Sequence, residues 1–246
     1  MDGNSMNTRA SRVDEGTVLF SPSWNLPPMN IVGKCPPTTA KLDAAADRGF
    51  DSVELHLRPS DLDDVGATAA MVKQSPVSAA SVHTLHARPD DPEPFRRSDA
   101  LAERLDAYLV VHSQYAQHTH TALLDSYDFA APCGYENNPG ASQFSLANLL
   151  LDRGHDLVLD TAHLFMSEPA YLESLSDLLK SYGDQIQVVH FTDGTLLNDG
   201  LPFGDGEIPL ERTAEILASE FDGNVVLEVM PDDQADARQR VLEWLN

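Results

Sequence analysis

Lysine is almost absent from this 246-residue sequence. Four residues, Lys34, Lys41, Lys73 and Lys180, stand against 26 aspartates and 13 glutamates. The net charge of −23 opposes a polyphosphate partner at low salt. An Asp-rich, Lys-poor chain with ordinary apolar content is also what work in molar salt demands. There the Debye length shrinks to about 3 Å and self-repulsion is tolerable. We read the charge chiefly as the mark of a halophilic protein, which weakens it as an argument against nucleic acid. Cysteine is scarce too: Cys35 and Cys133 stand far apart with no CxxC spacing, which argues against a disulfide framework or a thiolate zinc site. No apolar run of about 18 residues is present, so no membrane helix is expected. The opening MDGNSMNTRASRVDEG lacks the apolar core of a secretion signal. It reads as a flexible leader over 1–16, in a cytoplasmic protein.

What remains is a regular alternation. Short apolar runs at 17–23, 51–57, 77–83, 108–114, 133–138, 156–163, 186–193 and 224–230 are separated by amphipathic stretches. The clearest helix signals are TTAKLDAAADRG, SDALAERLDA, SQFSLANLLLDRG, EPAYLESLSDLLKSYG, PLERTAEILASEF and ADARQRVLEWL. Near-continuous apolar runs suit strands buried on both faces of a parallel sheet. Eight such units, with no linker between them, predict an α/β chain with a single (β/α)₈ TIM barrel over 17–246. An open doubly wound sheet is the alternative, but no Gly-rich phosphate loop follows the first run. The acidic stretch RPDDPEP (88–94) reads as a solvated loop over the barrel mouth.

Chemistry collects where the apolar runs end. The third ends at His83, with His86 behind it; the fourth carries His112 and the fifth Glu136. The sixth closes with Asp160 and His163, the seventh with His190 and Asp193, the eighth with Glu228. In a parallel barrel all strand C-termini emerge on one face, so these residues converge. A ring of carboxylates and imidazoles is what a hard or borderline divalent cation requires. Glu136 and Glu228 would repel each other in a barrel mouth unless a cation compensated them. His56, His118, His120 and His155 lack this placement and read as surface or packing residues. Arg58 and Arg88 open two acidic loops and read either as surface residues or as holders of a small anionic group.

The runs DSVEL, SVH, VVHSQ, YENNPGAS, LVLDTAH, VVHFTDG, FGDGEIP and VVLEV, in that order, resemble the xylose isomerase-like barrel superfamily. It includes sugar isomerases, ketose 3-epimerases, inosose dehydratases and the endonuclease IV (AP endonuclease family 2) proteins. The resemblance implies metal ligation by Glu136, Asp160, His190 and Glu228. In the isomerase and epimerase branch it also implies that Glu136 and Glu228 are the catalytic acid/base pair, with His163 contacting substrate hydroxyls. The endonuclease branch adds histidines matched by His83 and His112. It also carries an Asp-x-His pair before the Gly-acid-Gly loop, where this chain has Asn198, Asp199 and Gly200. His83, His112, His163 and Asp193 are therefore kept as second-metal or substrate-binding candidates. The expectation is a metal-dependent isomerase or epimerase of a small sugar or sugar-like polyol, using Mn²⁺, Mg²⁺, Zn²⁺ or Co²⁺. The alternatives are a phosphodiesterase of abasic DNA and a metal-binding barrel without catalysis. Self-association is left open.

Overall fold

A computed structural model describes residues 29–116 and 118–245. The leader expected over 1–16 and the strand expected over 17–23 lie outside the described residues. Eight parallel strands close into a barrel in sequence order. They are β1 (Asn30–Cys35), β2 (Ser52–His56), β3 (Ser78–His83), β4 (Tyr108–Val111), β5 (Cys133–Glu136), β6 (Asp156–Asp160), β7 (Ile186–Phe191) and β8 (Asn224–Leu227). β1 seals the ring by pairing Ile31 with Val225 on β8. The place foreseen for TVLFSPS is thus taken by NIVGKC. Gly33 and Lys34 in a six-residue run are both poor strand formers, and they concealed it.

Helices cover the barrel: α1 (Thr39–Asp47), α2 (Val65–Lys73), α3 (Pro92–Leu105), α4 (His118–Leu124), α5 (Gln143–Leu149), α6 (Thr161–Ser167), α7 (Tyr171–Tyr182), α8 (Leu210–Glu220) and α9 (Gln234–Trp244). Two departures from expectation have local causes. RPDDPEP is not simply a loop. The Asp91 side chain accepts the Glu93 N–H, and Pro92 opens α3, because a proline at the first helical position loses no hydrogen bond. DLVLDTAH is not all strand either. Asp160 caps a new helix, α6, by accepting the His163 N–H at 2.8 Å, so His163 stands one turn into a helix. No described helix is long and apolar enough to cross a membrane.

The side-chain alternation of each strand sorts core from site. Val53, Leu55, Val82, Leu109, Leu157, Leu159, Val189, Val225 and Leu227 pack outward against the helices. Val32, Tyr108, Val110, Val158, Val188 and Val226 fill the barrel interior. Two residues beyond those interior valines, on the same face, come Lys34, His112, Asp160, His190 and Glu228. The interior is therefore apolar below and ionisable at its C-terminal rim. Gly134 is required at the lower level: a Cβ there would overlap the Tyr108 hydroxyl, which donates to Asp156 across the barrel.

Candidate metal centre

Glu136, Asp160, His190 and Glu228 each offer a ligand atom, all within 4.8 Å of one another. His83, His112 and Glu136 form a second such group. Glu136 belongs to both. The four strand-end residues singled out in the sequence thus meet at one point, and the histidines of β3 and β4 stand beside them.

His190 is the hub. Its ring is fully buried, with Nδ1 at 2.8 Å from both Glu136 Oε1 and Glu228 Oε2. Nδ1 has one proton to give, and it goes to Glu136. Glu228 Oε2 is buried and makes no hydrogen bond. A carboxylate oxygen left in that state is costly, and a cation between these groups would satisfy it. The other ring nitrogen, Nε2, donates to Glu54 Oε2 at 3.1 Å. Once Nδ1 gives up its proton, that contact fixes the tautomer and leaves Nδ1 for a cation, as carboxylate–histidine pairs do behind metals. In this donor set a hard or borderline divalent ion fits.

Two members of the site escaped the sequence reading. Glu54, wholly buried on β2, accepts the Ser81 hydroxyl at 2.8 Å and is ion-paired with the Lys34 ammonium at 2.9 Å. Lys34, on β1, also donates to Glu228 Oε1 at 2.6 Å. A charged residue framed by Val53 and Leu55 in a buried run was the available signal for Glu54. For Lys34 the signal was hidden with its strand.

The charges answer one another. Burial opposes ionisation of Glu54, but His190 and Lys34 hold its carboxyl well below the usual range. Glu136 is likewise held low, by His190 and His83, against the cost of burial. Burial also opposes the Lys34 charge, yet Glu228, Glu54 and Glu136 keep it above its ordinary value. The His190 imidazolium is sustained against burial by Glu54 and Glu228. Asp160 is the exception. Burial, helped by Glu228 and Glu136, pushes it up to about 6. Burial, then His83, brings His112 down to about 4, which leaves it a neutral imidazole near neutral pH.

The remaining candidates divide. Glu136 Oε2 accepts the Ser113 N–H at 2.9 Å and faces His83 Nε2 at 3.7 Å. His163 reaches the Asn137 carbonyl through Nδ1 at 2.7 Å and the Asp199 carboxylate through Nε2 at 2.9 Å. With acceptors on both sides the ring carries two protons, and both are engaged. Asp193 is not brought to the cluster. Its buried carboxylate accepts the N–H groups of Gly194, Gly204, Gly206 and Ile208 at 2.8, 2.8, 2.9 and 3.3 Å. It pins the connection between β7 and α8, and a Cβ on Gly206 would overlap it. His56 and His86, by contrast, line the cavity above the centre, a role not foreseen for His56. His155 packs its ring on Tyr135, and His120 lies beside Tyr115. Arg58 and Arg88 are engaged by Asp61 and Asp90.

That cavity measures about 430 Å³, and its walls include His83, His112, Ser113, Pro139, His163, Thr192, Asp199 and Gly200. Hydroxyls, imidazoles and carboxylates dominate. The arrangement can hold a small, oxygen-rich molecule over two carboxylates.

Residues 42–246 match the model of the xylose isomerase-like TIM barrel family. No match was found among curated protein sequences. A D-tagatose 3-epimerase-like protein aligns with a TM-score of 0.69 at 20% identity, covering 88% of this chain and 97% of its own. D-allulose 3-epimerase from Methylomonas sp., solved with D-allulose, gives 0.63 at 16% identity, covering 89% and 96%. AP endonuclease, family 2, from Brucella melitensis gives 0.62 at 15% identity, covering 86% and 98%. At such identities the likeness to solved structures is one of fold. With the family match spanning most of the chain, and the closed eight-stranded barrel beneath it, this chain belongs to the xylose isomerase-like TIM barrel family.

Proposed function

We propose that this protein is a divalent-metal-dependent isomerase or epimerase of a small sugar or sugar-like polyol. One observation carries the reading: Glu136 and Glu228 approach the same ring nitrogen of His190 at 2.8 Å, on the floor of a polar cavity. Such a pair can move a proton at a carbon next to a carbonyl. One glutamate takes the proton and the other returns it. Glu136, Asp160, His190 and Glu228 would hold the cation, with Mn²⁺, Mg²⁺, Zn²⁺ and Co²⁺ all compatible with these donors. When bound, the ion supplies Lewis-acid stabilisation of the negative charge that develops on substrate oxygen. The chain's own part is positional. Glu54 orients His190, the Ser113 N–H orients Glu136, and the hydroxyls and imidazoles of the wall receive substrate hydroxyls. The solved complex of a structural neighbour with D-allulose supports a ketose as the first trial substrate.

The test is turnover of a ketose panel by the metal-loaded protein in molar salt, where an acidic surface of this kind is at ease. Substrate C–H exchange with solvent deuterium would be followed by NMR. Epimerised product with deuterium at the inverted carbon is expected; no exchange on any ketose sinks the reading. A second reading, an endonuclease-like phosphodiesterase, is favoured by the donor group His83, His112 and Glu136. Two bound ions that fall to one in His83→Ala with His112→Ala, together with cleavage of abasic DNA, would establish it instead. Against it stand the arginines already engaged by Asp61 and Asp90.

Metal uptake should depend on pH in a definite direction. The Asp160 carboxyl, raised to about 6, favours the proton in the metal-free protein. Its ionisation therefore costs folding stability as pH rises from about 4 to 6. Binding a cation requires the carboxylate, and it also displaces the proton on His190 Nδ1. Affinity should climb by up to roughly a hundredfold per unit between pH 5 and 6, where both protons are displaced, and by up to about tenfold per unit above the Asp160 value, where only the His190 proton is, with proton release throughout. Calorimetry in buffers of different ionisation enthalpy measures both. A flat affinity from pH 5 to 7 contradicts the ligand assignment.

A further inference from the structure

The Lys34 ammonium carries three N–H donors: one donates to Glu228 Oε1 at 2.6 Å, and Glu54 Oε1 is ion-paired with the ammonium at 2.9 Å without a hydrogen bond. Among the described residues no further acceptor is found for it. Its side chain is 12% exposed, and what is exposed lines the cavity above the centre. Lys34 lies on the inner face of β1, two residues above the interior Val32. The side chain therefore rises from the barrel wall into the cavity floor. A lone structural ammonium in such a place would be expensive. Here two carboxylates pay its burial and also fix its direction.

We propose that Lys34 is a catalytic residue, one of whose remaining N–H groups donates to the substrate oxygen on which negative charge develops. The proposal rests on the isomerase reading for the identity of that oxygen. When a glutamate takes the proton from the carbon beside the carbonyl, the C–H electron pair moves into the C–C bond. The carbonyl π pair then moves onto oxygen. The proton resides on the glutamate, and Lys34 donates a hydrogen bond while keeping its own protons. A fixed, partly desolvated ammonium already aimed at the reacting oxygen needs little rearrangement during the reaction, which is where preorganised donors act most strongly. The same ammonium distinguishes the two glutamates. Glu228 shares it, whereas Glu136 is held by the Ser113 N–H and His190.

The experiment compares full-length wild type with Lys34→Met and Lys34→Arg, all loaded with Mn²⁺. The probe is glycolohydroxamate, a small mimic of a charged enediolate. Mn²⁺ affinity, glycolohydroxamate affinity, and kcat and KM on the best ketose are measured separately. For Lys34→Met, Mn²⁺ affinity should stay within about fivefold, while glycolohydroxamate affinity and kcat each fall by roughly a hundredfold, the scale of losing one such donor. KM should move much less, and Lys34→Arg should recover part of both losses. Glycolohydroxamate affinity unchanged in Lys34→Met would overturn the proposal. So would a loss of Mn²⁺ affinity large enough to account for the rest, since Lys34 would then serve only to hold Glu228. If Lys34→Met does not fold because Glu54 is left uncompensated, Lys34→Met with Glu54→Gln removes the buried pair together and is read against Glu54→Gln alone. A wild type inactive on every ketose defeats the isomerase reading, yet the glycolohydroxamate comparison still decides the part played by Lys34.

Discussion

Glu136→Gln should lower kcat by roughly 10²–10⁴-fold, the range spanned by positioned acid–base groups, while the barrel stays folded. The substitution is nearly isosteric. The amide oxygen can still accept the Ser113 N–H, which now meets Oε2 at 2.9 Å. What disappears is the proton-accepting carboxylate and one negative charge beside His190. Metal affinity should weaken as well, because Glu136 faces both donor groups. The kinetic comparison is therefore made at saturating metal, with near-UV circular dichroism as the check on folding. The size of the effect separates catalysis from mere binding. A barrel that only carries metal has no use for a poised base, so a Gln variant retaining more than about a tenth of wild-type turnover would defeat the assignment of Glu136 as acid/base.

Asp193→Ala should cost about 3–5 kcal/mol of stability, because several N–H groups lose their acceptor at once. The carboxylate is 1% exposed. It accepts from Gly194, Gly204, Gly206 and Ile208. The loss is a large part of what a domain of this size possesses. In a scanning experiment it should lower Tm by about 8–15 °C. Some of those donors will find water, which sets the lower bound. Activity should fall along with stability, because the same connection carries Asp199 to His163. A Tm within about 2 °C of wild type would mean that the loop holds its shape without the carboxylate.

Much of this was legible in the sequence, for a physical reason. Strands of a parallel barrel are buried on both faces and read as continuous apolar runs. An ionisable residue ending such a run marks the C-terminal rim, as Glu136, Asp160, His190 and Glu228 do. The same continuity hid the rest. Period-two alternation is hard to see when both faces are largely apolar, so only the charge of Glu54 between Val53 and Leu55 in SVELHL hinted that it faced inward with His56. Lys34 was lost with β1, whose Gly33 and Lys34 weaken the strand signal. Asp193 ends its strand as the ligand candidates do, and only the path of the chain after it separates a clamp for backbone N–H groups from a donor to a cation. His163 is a case between: the capping contact that starts α6 is local and readable, but its partner Asp199 is 36 residues away.

The seam between β1 and β8 has a kinetic consequence. Lys34 and Glu228 meet across a separation of 194 residues, and the strands that bear them pair only when the first and last parts of the described barrel come together. Contacts between neighbouring β/α units are local by comparison and carry little loop-closure entropy. The centre has contributors on β1, β2, β5, β6 and β7 and at the end of β8, so it exists only after the ring has shut. During refolding, the appearance of tight metal uptake would therefore mark the time of barrel closure, trailing the growth of helical signal from the units that assemble first.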